Sequence, residues 1–188
     1  MDRKEQIVDM ATELLQTRSF SSFSYQDLSE RLGITKASIH HHFRSKNDLG
    51  KAVAERYHVY VKDVLKSART QRDEPWAQLE GYFAMVSAVL KTGEKICAVG
   101  SVQAEVNVVP EDMAKEMAAV VRFVVAWLTD TLTAGRKRGV MEFPGTAQAQ
   151  AETIFCAMQG AMQMGRAEGP KKLRTVIKQI KEAMKPAS

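Results

Sequence analysis

The sequence predicts an all-α protein of about nine helices, in which an N-terminal three-helix, helix-turn-helix domain is joined by a long helix to a C-terminal helical domain. Three observations lead to this prediction. Apolar residues recur with the period of amphipathic helices along most of the 188 residues. Proline and glycine divide the second half into segments of helical length. No stretch alternates apolar and polar residues well enough to predict a strand.

The first helix is predicted from one apolar face. Its residues follow the i, i+3, i+4, i+7 pattern and are Ile7, Met10, Ala11, Leu14 and Leu15. We expect this face to pack on Leu28, Ile39 and Phe43, which would give the N-terminal three helices a core of their own.

A second and a third short helix follow, separated by a turn of about three residues. Ser24 is placed to cap the second helix, with Asp27 in its first turn. Gly33 follows Leu32 where a chain leaving a helix often needs positive φ. Thr35 is placed to cap the third helix from Lys36 onward. The spacing predicts a helix-turn-helix.

The third helix has a narrow apolar face and a polar outer face. At 100° per residue, Ile39 and Phe43 point inward together. The opposite side and its flanks present Ala37, Ser38, His40 and His41. The major groove of DNA accepts one such helix, whose N-terminal residues reach the base edges.

Positive charge is concentrated around this helix. The whole chain has a net charge of +5, but residues 31 to 51 contain five Lys and Arg against one acid, Asp48. Such a concentration supplies the phosphate-neutralising part of DNA binding. Ser45 can cap a helix that begins at Lys46, whose free amides and ammonium group would suit a backbone phosphate.

The segment from Asp27 to Leu49, DLSERLGITKASIHHHFRSKNDL, resembles the DNA-binding domain of TetR/AcrR-type transcriptional regulators. The resemblance is close over about residues 4 to 50. The end of the family's recognition helix and the lysine after it are matched by Ile39, His42, Phe43 and Lys46. His40 stands where the family usually has a tyrosine. The resemblance implies a DNA-binding regulator, and we expect a repressor, because the family usually occludes promoter DNA.

We assign DNA contacts residue by residue. The residues expected to face the groove are Thr35, Lys36, Ala37, Ser38, His40 and His41, and those expected on phosphates are Ser24, Arg44 and Lys46. A metal site in the run of residues 40 to 42 is not expected, because successive helical side chains point about 100° apart and cannot converge on one ion.

We call the predicted three-helix N-terminal part, residues 1–46, the head. A long helix from about Asn47 to Gln71 leads out of the head without a flexible linker. We therefore place a DNA-binding domain at residues 1–46 and an effector-binding and dimerisation domain at residues 47–188. Five further helices are predicted from the breaks at Pro75, near Gly93, at Pro110, over residues 135–145 and at residues 169–170.

Two stripes near the C-terminus suggest a homodimer. Small or apolar residues recur at helical spacing in both, and the predicted interface comprises Ala157, Gly160, Ala161, Met164, Val176, Ile177 and Ile180. The alternative is that both stripes pack within their own subunit. A dimer would place two recognition helices about 34 Å apart, or a multiple of that distance, on a palindromic operator.

An interior effector pocket is implied chiefly by the resemblance, since TetR-type proteins commonly bind an inducer there and then release DNA. The residues we expect to line it around a small apolar effector are Phe83, Val86, Met117, Val121, Val124, Trp127, Phe155 and Met158. Aromatic and methionine positions at this spacing are also typical of an ordinary core.

Other classes of function are less well supported. The only histidine outside residues 40–42 is His58, with no nucleophile or acid visibly arranged around it, so we expect neither an enzyme nor a cofactor. Cys97 and Cys156 form no CxxC pair, and no leader or membrane segment is expected, which indicates a cytoplasmic protein. The alternatives are a redox or electrophile sensor acting through Cys97, and a helical interaction protein that does not bind DNA.

Overall fold

A computed structural model describes residues 2–71, 73–92 and 95–186. These residues form nine α-helices and one short 3₁₀ helix and contain no strand, which confirms the all-α prediction. The predicted break near Gly93 lies outside the described residues.

The first four helices have the order that the sequence predicts. They are α1 (Arg3–Arg18), α2 (Tyr25–Leu32), α3 (Lys36–His42) and α4 (Lys46–Thr70). Because α2 and α3 have only eight and seven residues, neither would be stable alone in water. Their stability has to come from caps and from packing on α1.

The remaining helices are α5 (Pro75–Val89), the 3₁₀ helix (Leu90–Thr92), α6 (Ala98–Ala104), α7 (Glu111–Lys137), α8 (Ala147–Glu168) and α9 (Lys171–Ala183). Pro75 occupies the first position of α5, where its missing N–H costs nothing. Gly169, at φ +100°, ends α8, and Pro170 leads into α9, so this pair reverses the chain where the sequence predicts a break.

The chain divides into two compact units. The first comprises Met1–Tyr60 and Ile96–Val120, and the second comprises Val61–Lys95 and Val121–Ser188. Both α4 and α7 contribute residues to each unit. The boundary that we place at residue 46 separates the residues expected to bind DNA from the rest of the chain, and it stays a prediction.

In the first unit, α1 packs against α2 and also against α6. The core of this unit includes the fully buried residues Ile7, Leu14, Leu28, Ile39, Leu49 and Met113. The hydroxyl of Ser101 on α6 donates to the carbonyl of Leu15 at 2.8 Å, and the amide of Ile96 donates to the carbonyl of Gln16 at 3.1 Å. These bonds hold α6 on the last turn of α1.

In the second unit, two tryptophans donate hydrogen bonds from their indole rings; Trp127 is buried and Trp76 is half-buried. Trp127 donates its indole N–H to the carbonyl of Leu65 at 3.1 Å, and Trp76 donates to the carbonyl of Val140 at 2.7 Å. Burying a large ring while satisfying its N–H is the arrangement in which tryptophan stabilises most.

Helix α7 is the one described helix that is long and apolar enough to cross a membrane by length and composition. Its inward face supplies core residues, among them Met113, Met117, Val120, Val124, Trp127, Leu128 and Leu132. Because one face of α7 fills the core and the other is more exposed, its apolar composition is explained by an amphipathic core helix.

Candidate nucleic-acid interface

The N-terminus of α2 is held by a reciprocal cap between Ser24 and Asp27. The Ser24 hydroxyl accepts from the amides of Gln26 at 3.2 Å and Asp27 at 3.5 Å, while the Asp27 carboxylate accepts from the Ser24 amide at 2.8 Å. Hydrogen bonds from the hydroxyl and amide of Ser24, together with the charge of Arg18, lower the pKa of Asp27. This cap is the one that the sequence predicts.

The turn and the start of α3 also follow the prediction. Gly33 adopts the left-handed conformation at φ +63°, and Thr35 accepts a hydrogen bond from the amide of Ser38 at 3.2 Å. Behind α3, Ile39 and Phe43 are buried, as their spacing predicts. The third helix is therefore fixed at its N-terminus by a cap and along its inner face by packing.

Tyr25 supports α3 from α2. Its phenol donates to the carbonyl of Phe43 at 3.0 Å, and its ring makes an edge contact with the imidazole of His40 at 4.8 Å between centroids. Burial and the charge of Asp48 raise the pKa of Tyr25 to about 12, so the phenol remains a donor at neutral pH. The sequence analysis did not single out Tyr25, because an aromatic residue near a helix start has many other uses.

The outer face of α3 carries the predicted groove-facing residues. Six of the nine predicted DNA contacts lie on or beside it with exposed side chains, namely Thr35, Lys36, Ala37, His40, His41 and Arg44. Ser38 is half-buried, and Ser24 is exposed at the start of α2. The ring of His40 lies beside the Arg44 carbonyl, with 3.3 Å between Nδ1 and the oxygen.

The cations around α3 differ in what they contact. Arg31 lies 3.6 Å from Glu13, and Lys51 lies 3.8 Å from Asp112. In the described part of the chain, Lys36 and Arg44 have no ion pair and no side-chain hydrogen bond. Of the five cations that made this segment basic, these two are the ones left for an external anion.

Lys46 points into the protein. Its ammonium donates to the carbonyl of Phe20 at 2.5 Å and to that of Phe23, and it lies 4.5 Å from the centre of each of the two rings. Burial lowers the pKa of this ammonium, and the charges of Glu105 and Asp27 partly offset the effect. These contacts favour a structural role over the phosphate contact that the sequence suggested.

The start of α4 has an acid of its own. The Ser45 hydroxyl accepts from the Asp48 amide at 3.1 Å, and the Asp48 carboxylate accepts from the Ser45 amide at 2.9 Å. The cap that the sequence predicts for α4 is therefore present. Because it also brings a carboxylate to the helix N-terminus, it makes this end less attractive to a phosphate.

The residues predicted to line an effector pocket are mostly core residues. All are buried except Val121, which is half-buried; Met117 belongs to the first unit and the other seven to the second. In the second unit, Phe83 lies in a groove of about 520 Å³ between α5 and α9, and Val121 lies in another of about 500 Å³ between α7 and α8. The effector site remains a proposal.

The residues predicted for a dimer interface lie on α8 and α9, which pack against each other. Gly160 and Met164 are exposed, and a Cβ added to Gly160 would meet nothing within 4 Å. Ala157, Val176, Ile177 and Ile180 are half-buried. The side chain of Ala161 is buried within its own subunit, so it is not available to a partner.

Two further residues of interest, Cys97 and Glu105, belong to the first unit. Cys97 is the residue before α6 and is half-buried, with its sulfur 3.6 Å from the hydroxyl of Tyr57. Glu105 follows α6 and hydrogen-bonds to the loop between α1 and α2. Nothing in the sequence signalled Glu105, because its partners are more than 80 residues away.

Comparisons with known proteins agree with this geometry. The family model of bacterial regulatory proteins of the tetR family matches residues 7–53, which include α2, α3 and the start of α4. Among curated proteins, the HTH-type transcriptional repressor NemR of Escherichia coli K12 is 28% identical over 166 residues, covering 85% of this chain and 82% of NemR.

Solved structures extend the similarity to the whole chain. A TetR-family transcriptional regulator from Agrobacterium tumefaciens has a TM-score of 0.93 at 29% identity, and the match covers 97% of both chains. The reduced form of E. coli NemR has a TM-score of 0.84 at 24% identity over the full length of both chains, and this likeness concerns the fold.

Proposed function

Because this chain is a transcriptional regulator of the TetR family, we propose that it acts as a homodimeric repressor that binds a palindromic operator through α3 and leaves it when a small apolar effector binds. In this proposal the protein works in the cytoplasm without a cofactor. The relative in E. coli is named a repressor, and we extend that direction of regulation to this chain.

The observation that carries the proposal is the outer face of α3. It is exposed, and Lys36 and Arg44 have no ion-pair partner in the described part of the chain, although exposed acids are available elsewhere on the surface. Unpaired cations beside a polar helix that is capped and packed from behind suit a polyanion with a groove. A helical interaction protein would not need such a face.

We assign specificity and general affinity to different residues. Thr35, Ala37, Ser38 and His41 are proposed to face base edges, and Lys36 is placed to reach either a base or a phosphate. Ser24 and Arg44 are proposed to contact phosphates. Lys46 is assigned to the support of the head, because its ammonium already contacts two carbonyls.

The effector and the dimer rest on other parts of the chain. We propose that the effector binds among the apolar residues of the helical part beyond α4, and that Gly160 and Met164 face the partner subunit. An effector can release DNA only if it binds the DNA-free form more tightly than the DNA-bound form. The apolar side chains of these residues suit an apolar effector.

The test is a mobility-shift titration on the DNA flanking the protein's own gene, with excess nonspecific competitor and at two salt concentrations. A shift that survives the competitor supports sequence-specific regulation, and footprinting the shifted fragment gives the half-site spacing expected of a dimer. If neither this DNA nor a genome-wide selection yields a competitor-resistant complex, the proposal is wrong.

A second candidate is sensing through Cys97. The observation in its favour is that Cys97 directly precedes α6, whose other end contacts the head through Glu105. A change at this thiol would thus occur on the helix that touches the α1–α2 loop. If a Cys97→Ser protein loses its DNA to a mild oxidant or an electrophile as readily as the parent does, Cys97 is not the sensor.

A further inference from the structure

The loop between α1 and α2, residues 19–24, is held on one side by Glu105. The Glu105 carboxylate accepts from the Ser19 hydroxyl at 3.0 Å, the Phe20 amide at 2.7 Å and the Ser21 amide at 3.1 Å, and also from the Ser21 hydroxyl. Three consecutive loop residues therefore donate to one side chain. That side chain belongs to the residue directly after α6.

Lys46, at the start of α4, holds the other side of the same loop. Its ammonium donates to the carbonyls of Phe20 and Phe23, and it lies between the two aromatic rings. The acid thus meets the amide groups of the loop, and the base meets its carbonyl groups. Both Phe20 and Phe23 are buried, so their own backbone groups are partly shielded from water, whereas Ser21 is exposed.

This arrangement meets a need that the loop cannot meet itself. Backbone groups outside a helix or sheet require partners when they are buried, and hydrogen bonds to a charged partner are the stronger kind. Burial alone would raise the pKa of Glu105, but the hydrogen bonds from Ser21, Ser19 and Phe20 outweigh it and lower the pKa. The acid is therefore ionised at neutral pH.

The position of the loop decides where α2 begins. Ser24 caps α2 only three residues after Ser21, and α2 carries Tyr25, which donates to the carbonyl of Phe43 at the end of α3. A shift of the loop would move the cap and, through Tyr25, the end of the recognition helix. Small displacements matter, because base contacts are made over hydrogen-bond distances.

We propose that Glu105 is a positioning residue for DNA recognition, which sets the placement of α2 and α3 by holding residues 19–21 from the end of α6. This inference rests on the proposed DNA-binding function. Glu105 itself does not touch DNA, since a carboxylate beside phosphates would weaken binding. Its contribution is to the shape of the head and leaves the number of phosphate contacts unchanged.

The principal test compares Glu105→Gln with the parent on the selected operator. Glutamine keeps the size of the side chain and can still accept from the amides of Phe20 and Ser21 through its oxygen. It removes the negative charge that strengthens all four hydrogen bonds, and it places an NH₂ against the hydroxyls of Ser19 and Ser21. We expect operator affinity about tenfold weaker. The slope of log K against log salt should stay at the parent's value, because no phosphate contact is lost.

The matched control is Glu111→Gln. Glu111 lies near Glu105 in sequence, is exposed, and pairs only with Lys115 on its own helix among the described residues. The Glu111→Gln substitution removes the same charge from the same unit as Glu105→Gln does. We expect its operator affinity to stay within about twofold of the parent. Hydrogen exchange at the amides of Phe20 and Ser21 should quicken in Glu105→Gln and not in the control.

Ser21→Ala supplies a milder variant and a coupling measurement. It removes one of the four hydrogen bonds, so affinity should fall about threefold in the parent. It should fall by less in the Glu105→Gln background, where the partner of Ser21 is no longer charged. If Glu105→Gln does not fold, Ser21→Ala still decides the question when it is compared with Ser22→Ala. Among the described residues, the Ser22 hydroxyl pairs only with the Ser19 hydroxyl and not with Glu105, so Ser22→Ala should remain within about twofold of the parent.

The outcomes separate this inference from the proposed function. If the parent binds its operator and both Glu105→Gln and Ser21→Ala bind within twofold of it, the positioning role is overturned and the proposed function stands. A tighter complex would assign Glu105 to the DNA surface, and a salt slope shallower by about one phosphate would mean that a phosphate contact elsewhere was lost. Either result overturns the positioning role as stated. If the parent binds no operator, both fall together.

Discussion

The head and the second unit are both helical, but they are stabilised in different ways. Local caps fix the short helices of the head, whereas packing between helices stabilises the second unit. In the head, α2 and α3 are short and are fixed by Ser24, Gly33 and Thr35, whose roles follow from a few adjacent residues. In the second unit, α8 has 22 residues and packs mainly on α9, and its Gly165 lies close to Leu90, which precedes it by more than 70 residues. Local signals therefore describe the head, whereas long-range packing describes the second unit.

The difference extends to the two candidate sites. The residues predicted to face the groove occupy one short stretch, from Thr35 to His41, so the sequence places them on one helix. An effector pocket would combine residues from several helices, and Phe83 and Val121 in fact lie in two different grooves. Sites formed by one segment can be found by reading the sequence, and sites assembled from several segments cannot.

The largest effect is expected from Ala37→Glu on the exposed face of α3. A carboxylate there would be brought against the phosphates and base edges of the operator, and we expect affinity to fall by about 100-fold or more, because like-charge contacts cost several kcal/mol. Folding should be unaffected, since glutamate suits an exposed helix position. Fluorescence anisotropy on the operator and thermal unfolding measure the two effects.

The control for this change is Ala183→Glu, at the exposed end of α9. It alters the net charge equally but lies in the second unit. If Ala183→Glu binds the operator as the parent does, the loss in Ala37→Glu comes from the position of the added carboxylate and not from the change in net charge. An equal loss in both variants would contradict the assignment of α3.

The second-largest effect is expected from Lys46→Met, which tests whether Lys46 stabilises the head or binds DNA. In Lys46→Met the two carbonyls of Phe20 and Phe23 lose a charged donor, and we expect the free energy of unfolding to fall by about 1.5–3 kcal/mol. If Lys46 is structural, the salt dependence of operator binding should not change. A phosphate contact would instead lower its slope by about 0.9.

Lys36→Met is the matched control, because Lys36 is exposed on α3 without an ion-pair partner among the described residues. It should leave unfolding unchanged and lower the salt slope. The two lysines should therefore show opposite patterns in chemical denaturation and in salt titration, and identical patterns would refute the distinction.

Lys46 and Glu105 also show where prediction from sequence ends. The order of the helices, both caps of the helix-turn-helix and the inward direction of Ile39 and Phe43 were predicted, since each depends on neighbours within four residues. The direction of the Lys46 side chain was not, because its partners precede it by more than 20 residues. Glu105 was missed for the same reason.

In the second unit, two glycines of α8 provide the next comparison. A Cβ at Gly165 would overlap Leu90, and we expect Gly165→Ala to cost about 1–3 kcal/mol of the free energy of unfolding. A Cβ at Gly160 meets nothing within 4 Å, so in an isolated subunit Gly160→Ala should stabilise α8 by about 0.5–1 kcal/mol.

The same pair tests the proposed dimer. If a partner helix packs closely on Gly160, alanine there should weaken dimerisation and cancel the gain in helix stability. Sedimentation over a range of protein concentrations measures dimerisation, and urea unfolding at two protein concentrations measures stability. Together they separate the effect on the dimer from the effect on α8. A stabilised protein with an unchanged dimerisation constant would remove Gly160 from the interface.

The smallest effect concerns the cap of α2 and its dependence on pH. The pKa of Asp27 is lowered in the folded protein, first by the hydrogen bonds from Ser24 and then by the charge of Arg18. A carboxyl group with a lowered folded pKa stabilises the protein fully above its unfolded pKa, about 3.9, and loses that contribution as the pH falls through the folded value. Asp27→Asn should therefore be less stable than the parent at pH 7, and the difference should shrink below pH 4.

Because other carboxyl groups titrate equally in both proteins, the difference between their urea midpoints reports on Asp27 alone. A difference that stays constant from pH 7 to pH 2.5 would mean that the cap acts through shape and not through charge, and the local electrostatic account of the head would then be wrong at this residue.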